Sequence, residues 1–306
     1  MESCSKNICG VSGITKSYCI NFRARIMTKI YRYIFNTNQD DPKREIREYL
    51  VCHKIKYSEG LLLIFEIPES RADFIEVKEF LDTKAGKIIQ ISLDYSKKEL
   101  NAAAYLQLWL RKYSGYPQPE TIDVKKSYIN YTYDITNFCT NCGSGLIQND
   151  SFYIKKSFNI EKIRFGGLYW VYDTFFITNE LCNLLVKEGF TGIEFLPVKN
   201  IKTKQPIDNI VQLKINTVFP TKLKYEVKKV IECKVCNQKK DLIKDGSEIT
   251  VSKEILKHLD KDFYLSQEFT GDGLLCCRRV LISNRVYKFF NDNKIKNICV
   301  EPIRFE

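Results

Sequence analysis

The sequence predicts an α+β protein: an N-terminal α+β domain over residues 27–125, then a domain over residues 126–306 made of two duplicated strand-helix-strand modules stapled by a Cys4 zinc site. Three observations lead there. Strand-like runs and capped helical segments mix in the first third of the chain, a proline-rich connection follows, and beyond it two CxxC motifs precede two matched segments.

Taken in order, residues 1–26 have no clear period and are expected to form a disordered extension. Met27 opens the alternating strand MTKIYRYIF. Leu61 to Ile67 forms an apolar run closed by Pro68, and Ser70, with Asp73 three positions on, reads as the N-cap of a helix over Ala72 to Leu81. Lys87 to Leu93 is the next strand. Ser96-Lys97-Lys98-Glu99 fits a capping box, in which the two side chains satisfy each other's orphan backbone donors. It opens a helix predicted over Leu100 to Tyr113, on the stripe Ala103, Leu106, Leu110 and Tyr113. Tyr116-Pro117-Gln118-Pro119-Glu120 denies the backbone both helix and ladder bonding, which places a domain boundary near residue 125.

Beyond the boundary, module one spans about residues 131–200 and module two about 225–306. Phe175-Phe176-Ile177-Thr178-Asn179 leads through Leu184 and Leu185 to Gly189, then to Ile193-Glu194-Phe195-Leu196-Pro197. Val280-Leu281-Ile282-Ser283-Asn284 leads through Phe289 and Phe290 to Ile298-Cys299-Val300-Glu301-Pro302 at a constant offset of 105. Each copy reads as a strand ending at a Thr or Ser N-cap, a helix, and a second strand whose proline blocks further pairing.

Composition narrows the function classes. A chain of 306 residues that is 44% hydrophobic and 28% charged can bury a core, and its longest apolar run, Leu61 to Phe65, is far too short to span a membrane. The opening residues have no continuous apolar stretch, so a reducing, cytoplasmic setting is expected and the twelve cysteines read as thiols or metal ligands. The net charge of +11 favours acidic partners. Lys222, Lys224, Lys228, Lys229, Lys234, Lys239, Lys240 and Lys244 lie close together, a run most simply read as a solvated face.

Cys139-Thr140-Asn141-Cys142 and Cys233-Lys234-Val235-Cys236 carry the clearest chemistry. This spacing lets one tight knuckle aim two thiolates at one tetrahedral metal, and Gly143 and Asn237, just after each pair, tolerate the left-handed backbone a knuckle requires. One structural Zn²⁺ held by Cys139, Cys142, Cys233 and Cys236 is expected, its closed shell leaving no position for substrate. The other reading uses Cys233 and Cys236 with Cys276 and Cys277, whose adjacency on a strand would point their thiols apart. Cys52, Cys182, Cys276, Cys277 and Cys299 read as buried small hydrophobes.

No catalytic constellation emerges. His53 and His258 lack partners, no phosphate loop, zincin helix or nucleophile elbow occurs, and Asp173 is replaced by Arg278 in the second copy. The run Tyr169, Trp170, Tyr172, Phe175 and Phe176 reads as core. A non-enzymatic binding protein is therefore expected, with a zinc-containing nucleic-acid binder as the alternative, since zinc knuckles, basic charge and aromatic residues are ingredients of nucleic-acid-binding proteins.

The combination FCTNCGSG, then GGLYWVYDTFFITNELCNLLVKEGFTGIEFLPV, then a second CxxC and a second proline-bearing strand resembles the bacterial double-CxxCG proteins grouped with polymorphic-toxin immunity proteins. The resemblance covers roughly residues 131–306 and implies a cytosolic inhibitor that binds and occludes a cognate toxin. Cys139 and Cys142 match the first pair, with Gly143 completing the motif; Cys233 and Cys236 match the second, where Asn237 departs from the glycine. Because acidic phosphate mimicry does not suit a +11 chain, the expected toxin presents an acidic contact surface.

Overall fold

The alternating run at Met27 forms β1 (Met27–Asn36), followed by α1 (Asp40–Cys52), β2 (Tyr57–Glu59), β3 (Leu62–Pro68), α2 (Phe74–Thr83) and β4 (Lys87–Tyr95). The computed structural model describes residues 27–36, 40–60, 62–84, 87–121 and 123–306, so the extension expected over residues 1–26 lies outside it. The first four strands form an antiparallel sheet in the order β2-β3-β1-β4. Its alternation buries Tyr33, Leu63, Phe65 and Ile67 against Ile46 and Leu50 of α1 and Val77 and Leu81 of α2.

The capping box forms as the sequence predicts, but α3 (Lys97–Ala102) then ends, Ala103 is extended, and Tyr105–Leu110 is strand β5. The helix expected over Leu100 to Tyr113 is therefore corrected after its first turns. Leu106, Leu108 and Leu110 satisfy a two-residue period as well as a helical one, and pairing on both sides decides between them. β5 is an interior strand of a seven-stranded sheet, between strands that come more than 170 residues later.

The chain continues through α4 (Tyr128–Thr132) and the short strands β6 (Tyr133–Asp134), β7 (Ile147–Gln148), β8 (Tyr153–Ile154) and β9 (Phe165–Gly166) to β10 (Phe175–Thr178), α5 (Asn179–Glu188), β11 (Ile193–Asn200) and β12 (Pro206–Ile215). Then come β13 (Val227–Glu232), β14 (Lys239–Ile243), β15 (Ile249–Val251), β16 (Phe263–Thr270), β17 (Cys277–Ser283), α6 (Asn284–Asp292) and β18 (Ile298–Phe305). A five-stranded sheet has the order β8-β11-β12-β10-β9, and the seven-stranded sheet β13-β14-β16-β17-β5-β18-β15.

The two matched segments adopt the same geometry. Both are split β-α-β units, with an antiparallel strand between the two parallel ones. Ile177 and Pro197 flank Val211 of β12, and Ile282 and Pro302 flank Leu106 of β5. Thr178 and Ser283 cap their helices by accepting from Leu181 N–H and Val286 N–H, each at 3.4 Å. Asn179 and Asn284 each donate to a carbonyl near the start of the central strand, that of Asp208 and, at 2.8 Å, that of Leu100. The prolines do not end their strands as expected: β11 runs on to Asn200 past a bulge, and beyond Pro302 residues 303–305 turn their pairing to β15. Missing one N–H, proline breaks one side of the ladder only.

Both units share one core, in which Leu106, Leu108, Val280, Ile282 and Phe290 pack with Phe175, Ile177, Leu181 and Leu213. Among the described residues, no helix is long and apolar enough to cross a membrane.

Candidate metal centre

Each CxxC motif sits in the same local fold. Cys139 N–H donates to Ser144 O and Gly143 N–H to Cys139 O, at 2.9 and 2.8 Å; Cys233 N–H donates to Gln238 O and Asn237 N–H to Cys233 O, both at 2.9 Å. The residue after each second cysteine is left-handed, with φ of +79° at Gly143 and +58° at Asn237, as the spacing requires. At Gly143 a Cβ would stand 1.9 Å from the carbonyl oxygen of Leu274, so this position also needs the absence of a side chain. The second knuckle is the turn of the β13–β14 hairpin, whereas the first lies between β6 and β7.

The two knuckles converge. The four sulfurs of Cys139, Cys142, Cys233 and Cys236 all lie within 4.8 Å of one another, with 3.7 Å between Cys139 and Cys233 and 3.5 Å between Cys142 and Cys236. A tetrahedral ion with metal–sulfur bonds of about 2.3 Å has sulfur–sulfur edges of about 3.8 Å, so the cluster has the dimensions to hold a metal ion. Three of the cysteines are buried and Cys236 is exposed, which puts the centre just under the surface. The sequence alternative is corrected: Cys276 and Cys277 stand outside this group.

Neighbouring polar groups favour thiolates on the second knuckle. The Asn141 side chain donates to Cys233 Sγ at 3.2 Å and holds that thiol down to about 6. The Ser144 hydroxyl, 3.4 Å from Cys236 Sγ and 3.1 Å from Cys142 Sγ, lowers that of Cys236. At Cys139 the Asn141 backbone N–H pulls the same way, but burial and the adjacent Cys236 sulfur outweigh it and lift the thiol to about 11. Four thiolates this close repel one another unless a cation sits among them.

Lys240 was legible only as one member of a basic run, yet it is 1% exposed. Its ammonium donates to three carbonyls, Cys142 O at 3.0 Å, Gly273 O at 2.7 Å and Leu275 O at 2.9 Å. It thereby ties the first knuckle to the β16–β17 turn. Most of the remaining run is exposed, and Lys239 and Lys244 pair with Glu232 and Glu226. Asn141, Ser144 and Lys240 gave no sequence signal, because their roles exist only once the knuckles meet.

Other expectations change. Cys52 is exposed and Cys182, Cys276, Cys277 and Cys299 are only partly buried. Phe175 and Phe176 are core, but Tyr169 and Trp170 are 39% and 43% exposed. His53 has a partner after all: its Nδ1 lies 2.9 Å from Asp73, which the Arg71 guanidinium, at 2.8 Å, and then His53 hold well below the usual carboxylate range. His258 is exposed, as the sequence suggests. No known family model and no curated protein matches the chain.

Proposed function

We propose that the cysteine cluster holds one structural Zn²⁺ and that the chain is a cytoplasmic, non-enzymatic protein of the immunity type, binding and occluding a cognate toxin. The observation that carries this reading is the convergence of two knuckles separated by 94 residues on one four-sulfur site. Four thiols suit zinc, and a closed shell serves architecture, not turnover. Three nearby features support a dianionic zinc-tetrathiolate centre: the Asn141 amide, the Ser144 hydroxyl and the buried Lys240 ammonium beside Cys142. The 105-residue offset, which also relates Leu106 to Val211, supports duplication.

A scaffold stapled in this way presents a rigid surface, and inhibition requires only about 800 Å² of it per partner. The resemblance over residues 131–306 supports the toxin-binding reading, with both cysteine pairs in place. Exposed Lys228, Lys229 and Lys234 on β13 and the second knuckle favour an acidic partner face, and they also keep the nucleic-acid reading as the rival.

The test is to look for a toxin-like gene beside the gene for this chain and to purify the chain with its product. A stable stoichiometric complex that silences the toxin, with one zinc per chain by elemental analysis, is the expected result. Failure to bind that product, together with steeply salt-dependent binding of random oligonucleotides, would transfer the assignment to the rival.

A further inference from the structure

A cavity of about 910 Å³ lies against the first knuckle, within the range of small-molecule sites. Gly143, Leu274 and Leu275 form part of its wall, the segment that Lys240 ties down. Part of the lining is aromatic. Tyr128, Tyr133, Trp170 and Tyr172 form it, with Tyr128 stacked on Trp170 at 6.1 Å between centroids and edge-on to Tyr133 at 6.3 Å.

Asp173 is one of two acidic groups in this lining. One carboxylate oxygen accepts from the backbone N–H of Arg278 at 3.1 Å, and among the described residues it forms no ion pair. The Arg278 side chain, also in the lining, lies over the Phe269 ring at 4.6 Å. Burial lifts the Asp173 carboxyl above the usual range, and its charge adds to burial in raising Tyr128 to about 12 and Tyr133 well above its ordinary value. The carboxyl thus shares a poorly solvated lining with two phenols. The other acid in the lining, Glu120, is already paired with Lys155 at 3.0 Å.

We propose that this cavity binds an organic ammonium compound, its cationic nitrogen against Asp173 among the aromatic rings of the lining, its apolar body along Leu265 and Leu275. A cation recovers the Coulomb energy that burial withholds from Asp173, and electron-rich ring faces add to it. A neutral or anionic guest leaves the carboxylate unpaired. This site is independent of toxin binding.

Trp170 reports on occupancy by fluorescence. The zinc-loaded, full-length chain is titrated with benzyltrimethylammonium and, at matched ionic strength, with phenylacetate, which has the same ring and the opposite charge. The expected result is saturable binding of the ammonium probe, at least about tenfold tighter than phenylacetate, and about a tenfold or greater loss in Asp173→Asn. The proposal is overturned by no saturation with the ammonium probe up to about 10 mM, by equal or tighter binding of phenylacetate, or by a folded Asp173→Asn that binds as the wild type does. If Asp173→Asn does not fold, the charge preference of the wild type decides alone.

Discussion

Breaking the second knuckle by the double substitution Cys233→Ser and Cys236→Ser should abolish a covalent-like cross-link, and the geometry sets the size of the effect. A link between Cys139 and Cys233 closes a 94-residue separation. In the chain-entropy treatment, closing a loop of roughly 100 residues restrains the unfolded chain by about 4.7 kcal/mol. A metal link, unlike a permanent bond, is released for part of the time in the unfolded chain, which returns part of that and leaves about 3–4 kcal/mol. For a protein of this size the corresponding fall in melting temperature is about 5–6 °C. Melting curves should be recorded for the wild type with zinc, the wild type with a strong chelator, and the double variant with zinc. The last two should coincide about 5–6 °C below the first, and Cys139→Ser, which leaves the first knuckle a single thiol, should shift toward them. A wild-type melting temperature indifferent to chelation would refute the reasoning. So would a double variant melting well below the chelated wild type, since the sulfurs would then act by packing and not through a metal.

Gly143→Ala should cost more than about 2 kcal/mol in urea titration and weaken metal retention, because φ is +79° and the new methyl meets Leu274 O; Asn237→Gly, at +58°, should stay within about 0.5 kcal/mol of wild type. Lys240→Met strips three carbonyls of their shared donor, so a loss of roughly 2–4 kcal/mol is expected by the same assay, with faster zinc release to a chromogenic chelator. Burial holds the Glu301 carboxyl at about 7. The folded protein thus keeps a proton that the unfolded chain loses near its ordinary value, and stability falls as pH rises from about 4.3 to 7 and levels off above. Glu301→Gln should remove that slope and, above pH 7, exceed wild type by on the order of 2 kcal/mol; superimposable pH profiles would refute it.

What could be read from the chain was whatever chemistry acts over a few residues. The Ser96 capping box, the Thr178 and Ser283 caps and the left-handed positions at Gly143 and Asn237 depend on local spacing alone, and all are present. Each knuckle was legible for the same reason. That the two knuckles meet was inferred from number and spacing, and the structure supplies it through the shared core of the two units. Leu106, Leu108 and Leu110 misled because an alternating apolar run next to a good helix start fits both periods until neighbouring strands choose one. Lys240 and Trp170 misled in opposite directions. A lysine in a charged run is ordinarily solvated and an aromatic in an aromatic run ordinarily buried, but three convergent carbonyls bury the first and an open cavity exposes the second.

The central strands are exchanged between the two halves. β5 precedes the first knuckle yet completes the unit of β17 and β18, while β12, which follows the first unit, stands 105 positions after β5. Neither half of the polypeptide therefore contains a finished unit of its own; each lends its strand to the other. Cleaved in the exposed turn at Lys202–Lys204, the two fragments should behave as obligate complements, insoluble or unfolded when made separately and reconstituting when made together. One fragment carrying a single β-α-β unit could close its own gap only by pairing with a twin, so a symmetric homodimer is the arrangement that the single chain would mimic.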